Sequence, residues 1–164
     1  MNFKSNFFYN TVYDIDYSLL KSKGIKALLF DIDNTLVCYD APYPDEKLFA
    51  LFDKLKEDGF KLYLLSNNNK ERVKIFSEKA NLPYRGRALK PLKLNIKRAM
   101  KVLSTDKKTT ALIGDQLFTD VWGANRAGIT SILVNPISDK EDRFVAFKRH
   151  LEKLINKNNW YQRF

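Results

Sequence analysis

The sequence predicts an α/β fold: a three-layer sandwich in which a mainly parallel sheet carries helices on both faces. Three observations predict it. Short apolar runs alternate with helical patterns along the chain, as βαβ units require. The runs are apolar throughout instead of alternating with polar residues, as in strands covered on both sides. The chain of 164 residues, 45% of them hydrophobic, suits one packed domain.

The elements follow in order. Residues 26–31 (KALLFD) are apolar until they meet an acid, which reads as a buried strand ending at Asp31. Over 45–58, Leu48, Leu51, Phe52 and Leu55 recur at helical spacing, and Gly59 stops the pattern. A second strand at 61–65 ends in Ser66-Asn67-Asn68-Asn69, and a helix follows to about residue 80. A short segment at 84–89 precedes Lys90. Leu92, Ile96, Met100 and Leu103 mark the next helix, with Pro91 suited to its first position. Residues 109–113 form a strand running into Gly114-Asp115, then comes a helix near 119–127 with Gly128 as its C-cap, then a strand at 129–134. Phe144, Phe147, Leu151, Leu154 and Ile155 give a last amphipathic helix. The motif-bearing core thus runs from about 26 to 134, with an N-terminal extension at 1–24 and a C-terminal helix and basic-aromatic tail at about 140–164.

Composition narrows the function. An ordinary balance of 45% hydrophobic and 29% charged residues excludes disorder and fibrous repeats. Lys and Arg number 29 against 19 Asp and Glu, a formal charge of +10 that points to an anionic partner. The single cysteine, Cys38, excludes a disulfide framework and a multi-thiolate zinc site. No stretch reaches the roughly 20 apolar residues that span a bilayer, and the start, MNFKSNFFYN, has no secretory h-region. A cytoplasmic protein is the expectation. The only histidine, His150, falls in a charged helical stretch and reads as solvent-facing.

Ligands in parallel α/β sheets bind at the carboxyl ends of the strands. The residues there are Asp31, Ser66, Lys90 and Asp115. Asp31 and Asp33, two apart beyond a buried strand, would repel each other unless a cation or a proton intervened, and hard oxygen ligands select Mg²⁺. Alone, the pentapeptide Asp31–Thr35 reads equally well as a turn whose polar side chains cap the backbone. Asp115 and Asp120 form a second acidic pair, for which helix capping is the plain alternative. Capping accounts less well for four acids gathered at two strand ends. Ser66 and the backbone N–H groups of Asn67 and Asn68 would suit phosphate oxygens. Lys90, at a helix N-terminus, is electrostatically unfavourable unless an anion accompanies it.

Asp31-x-Asp33-x-Thr35, Ser66, Lys90 and Gly114-Asp115-x-x-x-x-Asp120 stand in order, each at a βα junction. In this the chain resembles the haloacid dehalogenase (HAD) superfamily of phosphatases over about 26–134. The wording DIDNTL, LLSNN, ALKP and GDQLFTDVWGANRAG is most similar to subfamily IIIA and its bacterial YqeG-type group, itself similar to phosphatidylglycerophosphate phosphatases. The resemblance implies a HAD-like (Rossmann-like) fold and a Mg²⁺-dependent phosphomonoesterase working through an aspartyl-phosphate. Asp31 would be the nucleophile and Asp33 the general acid and base. Asp31, the Asp33 backbone carbonyl and Asp115 would hold the metal. Ser66, Asn67 and Lys90 would bind the phosphoryl group, and Asp120 would position Lys90 or a metal-bound water.

Between 33 and 66 there is room for one helix and one strand, and between 66 and 90 for a helix and a short strand. Neither interval holds the cap domain that HAD enzymes for small metabolites usually insert there. An open site suits a large substrate, and phosphatidylglycerophosphate is the expectation. The seven basic residues between Arg85 and Lys101, with no acid among them, together with aromatic ends (Phe3, Phe7, Phe8, Tyr9; Trp160, Tyr161, Phe164), would suit the inner face of an anionic membrane. They would also serve as a solvated helix face and as packing at the sheet edges. The alternatives are a phosphatase for a soluble sugar phosphate closed by oligomerisation, and a basic adaptor for RNA or ribosome with a vestigial site. Nucleic acid is the less expected partner, because binding it needs none of these carboxylates.

Overall fold

The computed structural model describes residues 2–138. The expected last helix, His150 and the basic-aromatic tail lie outside the described residues. Within them the elements are β1 (Phe7–Tyr9), α1 (Tyr17–Ser22), β2 (Ala27–Phe30), α2 (Glu46–Glu57), β3 (Lys61–Leu65), α3 (Lys70–Ala80), β4 (Tyr84–Arg85), α4 (Lys93–Val102), β5 (Thr110–Gly114), a π-helical turn (Leu117–Val121), α5 (Trp122–Ala127) and β6 (Thr130–Val134). The six strands form one sheet in the order β1-β6-β5-β2-β3-β4, parallel at every pairing. Among the described residues nothing resembling a cap interrupts this core, and no helix is long and apolar enough to cross a membrane.

The sheet separates two apolar layers. Leu28, Phe30, Leu62, Leu64 and Ile113 point to one face and pack with Leu48, Phe52 and Leu55 of α2 and Val73 and Phe76 of α3. Ala27, Leu29, Tyr63, Leu65 and Leu112 point to the other and meet Ile96, Ala99 and Met100 of α4 and Ala124 of α5. Successive residues of one strand feed opposite cores, which is why these strands are apolar without alternation. α2 starts where the Asp45 side chain accepts from the Leu48 N–H, and α3 where Asn69 accepts from Arg72 N–H.

The structure departs from the sequence reading in three places. The N-terminal extension is part of the sheet: β1 pairs in parallel with β6, and Phe3 is buried edge-on against Phe118 and Trp122. Of the two readings of these aromatics, packing at the sheet edge fits the N-terminal ones: Phe3 is buried and Phe7, Phe8 and Tyr9 are half-buried. The helix after Lys90 begins at Lys93, so Pro91 stands ahead of it and not at its first position. Leu92 N–H turns back onto the Leu89 carbonyl, which delays the helix. The segment after Asp115 opens as a π-turn before becoming α5.

Candidate active site

Asp31 extends β2 by one residue, its N–H bonded to the Ile113 carbonyl of β5. The chain then turns around the carbonyl of fully buried Ile32, which accepts from the N–H groups of residues 35, 36 and 37. This turn carries the Thr35 hydroxyl 3.0 Å from Asp115 Oδ1, to which it donates, and 3.4 Å from Asp31 Oδ2. The ends of β2 and β5 are thereby tied by side chains as well as by the ladder.

Lys90 is the centre of the arrangement. Its Nζ lies 2.6 Å from Asp31 Oδ1 and 2.6 Å from Asp120 Oδ1, with the lysine side chain only 1% exposed. Asn67 fixes its backbone, donating from Nδ2 to the Lys90 carbonyl (3.0 Å) and accepting from the Lys90 N–H at Oδ1 (2.7 Å). Asp120 is presented by the π-turn, and its other oxygen accepts from the Gln116 N–H and the Thr119 hydroxyl, each at 3.2 Å. Single π-turns often mark functional sites. Here the wider turn brings a carboxylate back toward the lysine.

The Asp31, Asp115 and Asp120 carboxylates are all buried, with one oxygen of each within 4.8 Å of the others. Three carboxylates thus crowd around the Lys90 ammonium. Burial pushes the Asp31 carboxyl well above the ordinary carboxylate range. Lys90 pulls it back, and Asp120, Asp115 and Asp33 push it up again. Burial also opposes the charge on Lys90, but Asp120 and Asp31 outweigh it and raise its pKa. Lys90 is therefore firmly cationic, while the carboxylates remain short of positive charge. A buried, all-oxygen donor set with that deficit fits a divalent cation.

Asp33 lies apart from this cluster. Its Oδ1 accepts from Arg72 Nη2 (3.0 Å) and Nε (3.3 Å), and its Oδ2 from Asn68 Nδ2 (3.0 Å) and, more loosely, the Ser66 hydroxyl (3.4 Å). The Ser66 oxygen accepts in turn from the Asn68 N–H (3.1 Å), so that amide is already used within the loop. Sequence reasoning missed Arg72 and the Asn68 side chain. The signal was present: Arg72 is in the first turn of α3, where a cation needs a neighbouring anion.

Gly114 supplies a local test. A Cβ there would lie 2.6 Å from both Cβ and Oδ2 of Asp120. Gly114→Ala should therefore displace Asp120 from Lys90, destabilise the protein by about 1–3 kcal/mol and lower the turnover of the phosphomonoesters that the sequence resemblance leads one to expect. Denaturant unfolding beside a phosphate-release assay checks this, and a variant equal to the parent in both would contradict the packing described.

A family model described as HAD-hydrolase-like matches residues 88–151. "Probable phosphatase YqeG" of Bacillus subtilis (strain 168) is 38% identical over 148 residues, covering 90% of this chain and 86% of that protein. "Phosphatidylglycerophosphate phosphatase 1, chloroplastic/mitochondrial" of Arabidopsis thaliana is 28% identical over 163 residues, covering 87% of this chain and 44% of that protein. The chain thus spans less than half of that longer relative. Among solved structures, the 3-deoxy-D-manno-octulosonate 8-phosphate phosphatase of Moraxella catarrhalis superposes with a TM-score of 0.55 at 19% identity, over 89% of this chain and 95% of that one. The cobalt-bound deoxy-D-mannose-octulosonate 8-phosphate phosphatase of Haemophilus influenzae does so at 0.53 and 17%, over 84% and 90%. At such identities these two show a shared fold.

Proposed function

The chain belongs to the HAD-like hydrolase family, as a phosphatase of the YqeG type, and from that premise we propose that it is a Mg²⁺-dependent phosphomonoesterase acting on phosphatidylglycerophosphate through an aspartyl-phosphate. The observation that carries the reading is the set of three buried carboxylates gathered around Lys90 at the strand ends. Asp31 and Asp115, with Asp120 close by and the Asp33 backbone carbonyl, would hold the ion. When bound, Mg²⁺ supplies charge neutralisation at the phosphoryl oxygens.

The chain's own residues do the rest. An oxygen of Asp31 attacks phosphorus while the bond from phosphorus to the leaving oxygen breaks. The Asp33 carboxyl gives its proton to that oxygen, releasing the alcohol. The Asp33 carboxylate then takes a proton from water, whose oxygen attacks phosphorus and breaks the bond to Asp31, freeing phosphate. Lys90 holds Asp31 in register and offers its charge to the phosphoryl group. Ser66 and the N–H of Asn67 are assigned to the remaining oxygens, while the Asn67 side chain keeps Lys90 in place.

A lipid substrate is supported by the activity for which the Arabidopsis relative is named and by the surface beside Lys90. The loop carrying Lys90 exposes Leu89 (60%) and Leu92 (49%), and Lys93, Lys97, Arg98 and Lys101 of α4 are exposed as well. Apolar side chains set among cations suit an anionic bilayer. Phosphate release from phosphatidylglycerophosphate in anionic vesicles should be abolished by EDTA and restored by Mg²⁺. Reversing Lys97 and Arg98 to Glu should weaken vesicle sedimentation at low salt and lipid-phosphate turnover, with little loss on a small aryl phosphate. Full turnover in chelator would remove the metal from the reading. Equal losses on both substrates would remove the membrane.

A further inference from the structure

We propose that Arg72 sets substrate specificity: it exchanges the Asp33 carboxylate for a second anionic group on the leaving alcohol, with a phosphodiester as the chemistry that fits. The inference rests on the reading of Asp33 as the group that protonates the leaving oxygen. Whatever is bound to Asp33 then stands beside the leaving alcohol, and the group bound there is the Arg72 guanidinium.

Three features mark this pair as exchangeable. The side chains of Arg72 and Asp33 are 17% and 14% exposed, so both reach solvent, unlike Lys90 and Asp120 at 1% and 2%. Both arginine nitrogens in contact converge on one oxygen, Oδ1, instead of spanning the two oxygens of the carboxylate as the strongest pairs do. Nη2 also lies 3.5 Å from the Tyr39 carbonyl, and Nη1 has no hydrogen-bond partner among the described residues. The guanidinium therefore has donors to spare for a further anion.

The pairing also poses a problem that exchange would solve. Both oxygens of Asp33 are engaged at once, by Arg72 on one and by Asn68 and Ser66 on the other, so the set must open before either oxygen can face the leaving group. Arg72 stands in the first turn of α3, beside the α3 N-terminus, which itself favours a negative partner. An incoming phosphodiester would take the arginine and free Asp33 in one step. The substrate class is thus a phosphomonoester whose alcohol carries a second anion within reach of Arg72 when its phosphoryl group lies beside Asp31. A membrane lipid and its water-soluble deacylated headgroup share that chemistry.

Steady-state kinetics of the full chain with three substrates tests it: glycerol 3-phosphate, glycerophosphoglycerol phosphate (the deacylated headgroup) and phosphatidylglycerophosphate in vesicles. The parent should favour the headgroup over glycerol 3-phosphate by ~10-fold or more in kcat/KM, because a site built to pair an anion penalises a substrate lacking it. Arg72→Gln should collapse that ratio toward one, chiefly through KM for the headgroup, and Arg72→Lys should keep part of it. If Arg72→Gln unfolds early in thermal melts, Arg72→Lys carries the comparison, with a reduced but surviving preference expected. A parent without preference, or variants that lower kcat on both soluble substrates equally, would overturn the inference and leave Arg72 as a brace for Asp33. Arg72-dependent headgroup preference without vesicle turnover would uphold the inference and sink the lipid substrate. Vesicle turnover unchanged in Arg72→Gln would do the reverse.

Discussion

Asp31→Asn is expected to fold normally and to lose at least ~10³-fold in turnover, because an amide cannot form and release the acyl-phosphate. The two halves of that expectation have separate causes. Asn matches Asp in shape, and Lys90 keeps its second partner, Asp120, at 2.6 Å. Burial and three neighbouring carboxylates already hold the Asp31 carboxyl above its ordinary range, so its charge is a cost to the metal-free fold. Removing that charge should leave the melting temperature unchanged or raise it. Phosphate release and a thermal melt on the same sample check both halves. Activity within tenfold of the parent would take the nucleophile's role from Asp31.

Lys90→Met should have the largest effect on stability. The side chain is 1% exposed and bridges two buried carboxylates, and breaking a buried pair by removing one partner typically costs about 3–5 kcal/mol. The loss should grow with pH. Asp31 titrates above its unfolded value, so its favourable contribution is complete below the ordinary carboxylate pKa and is lost as pH rises through the raised one. Lys90 is the group that pulls that value down, and without it the window of lost stability widens upward. Millimolar Mg²⁺ should recover part of the melting temperature by supplying positive charge among Asp31, Asp115 and Asp120. A variant as stable as the parent at neutral pH without metal would contradict the charge deficit described for the site.

The strand ends were legible because the site puts residue types there that a buried strand otherwise avoids: an acid after Phe30, a hydroxyl after Leu65, Gly-Asp after Ile113. β1 was not. Its three residues carry no pattern of their own, and what makes them a strand is pairing with β6, reinforced by Asn6, whose side chain accepts from the Ser131 N–H. The π-turn escaped because apolar spacing at 117–127 suits a wider turn as well as an α-helix, and the turn's purpose, aiming Asp120 at Lys90, is visible only in space. What Asp115 does beyond a helix cap is likewise visible only in a tertiary contact, the bond it accepts from the Thr35 hydroxyl. Arg72 and Asp33 are separated by 39 residues, so the place of Arg72 in the first turn of α3 signals that an anion is needed but not which one supplies it.

Rapid acid quench during steady turnover, followed by borohydride reduction and peptide mass analysis, tests whether Asp31 carries a covalent phosphate. An acyl-phosphate is reduced to the alcohol, so homoserine is expected at position 31 in samples quenched with Mg²⁺ and substrate. None is expected in EDTA and none in Asp31→Asn. Steady phosphate release with position 31 always recovered as aspartate, or with the reduced residue found at Asp33, Asp115 or Asp120 instead, would contradict that expectation.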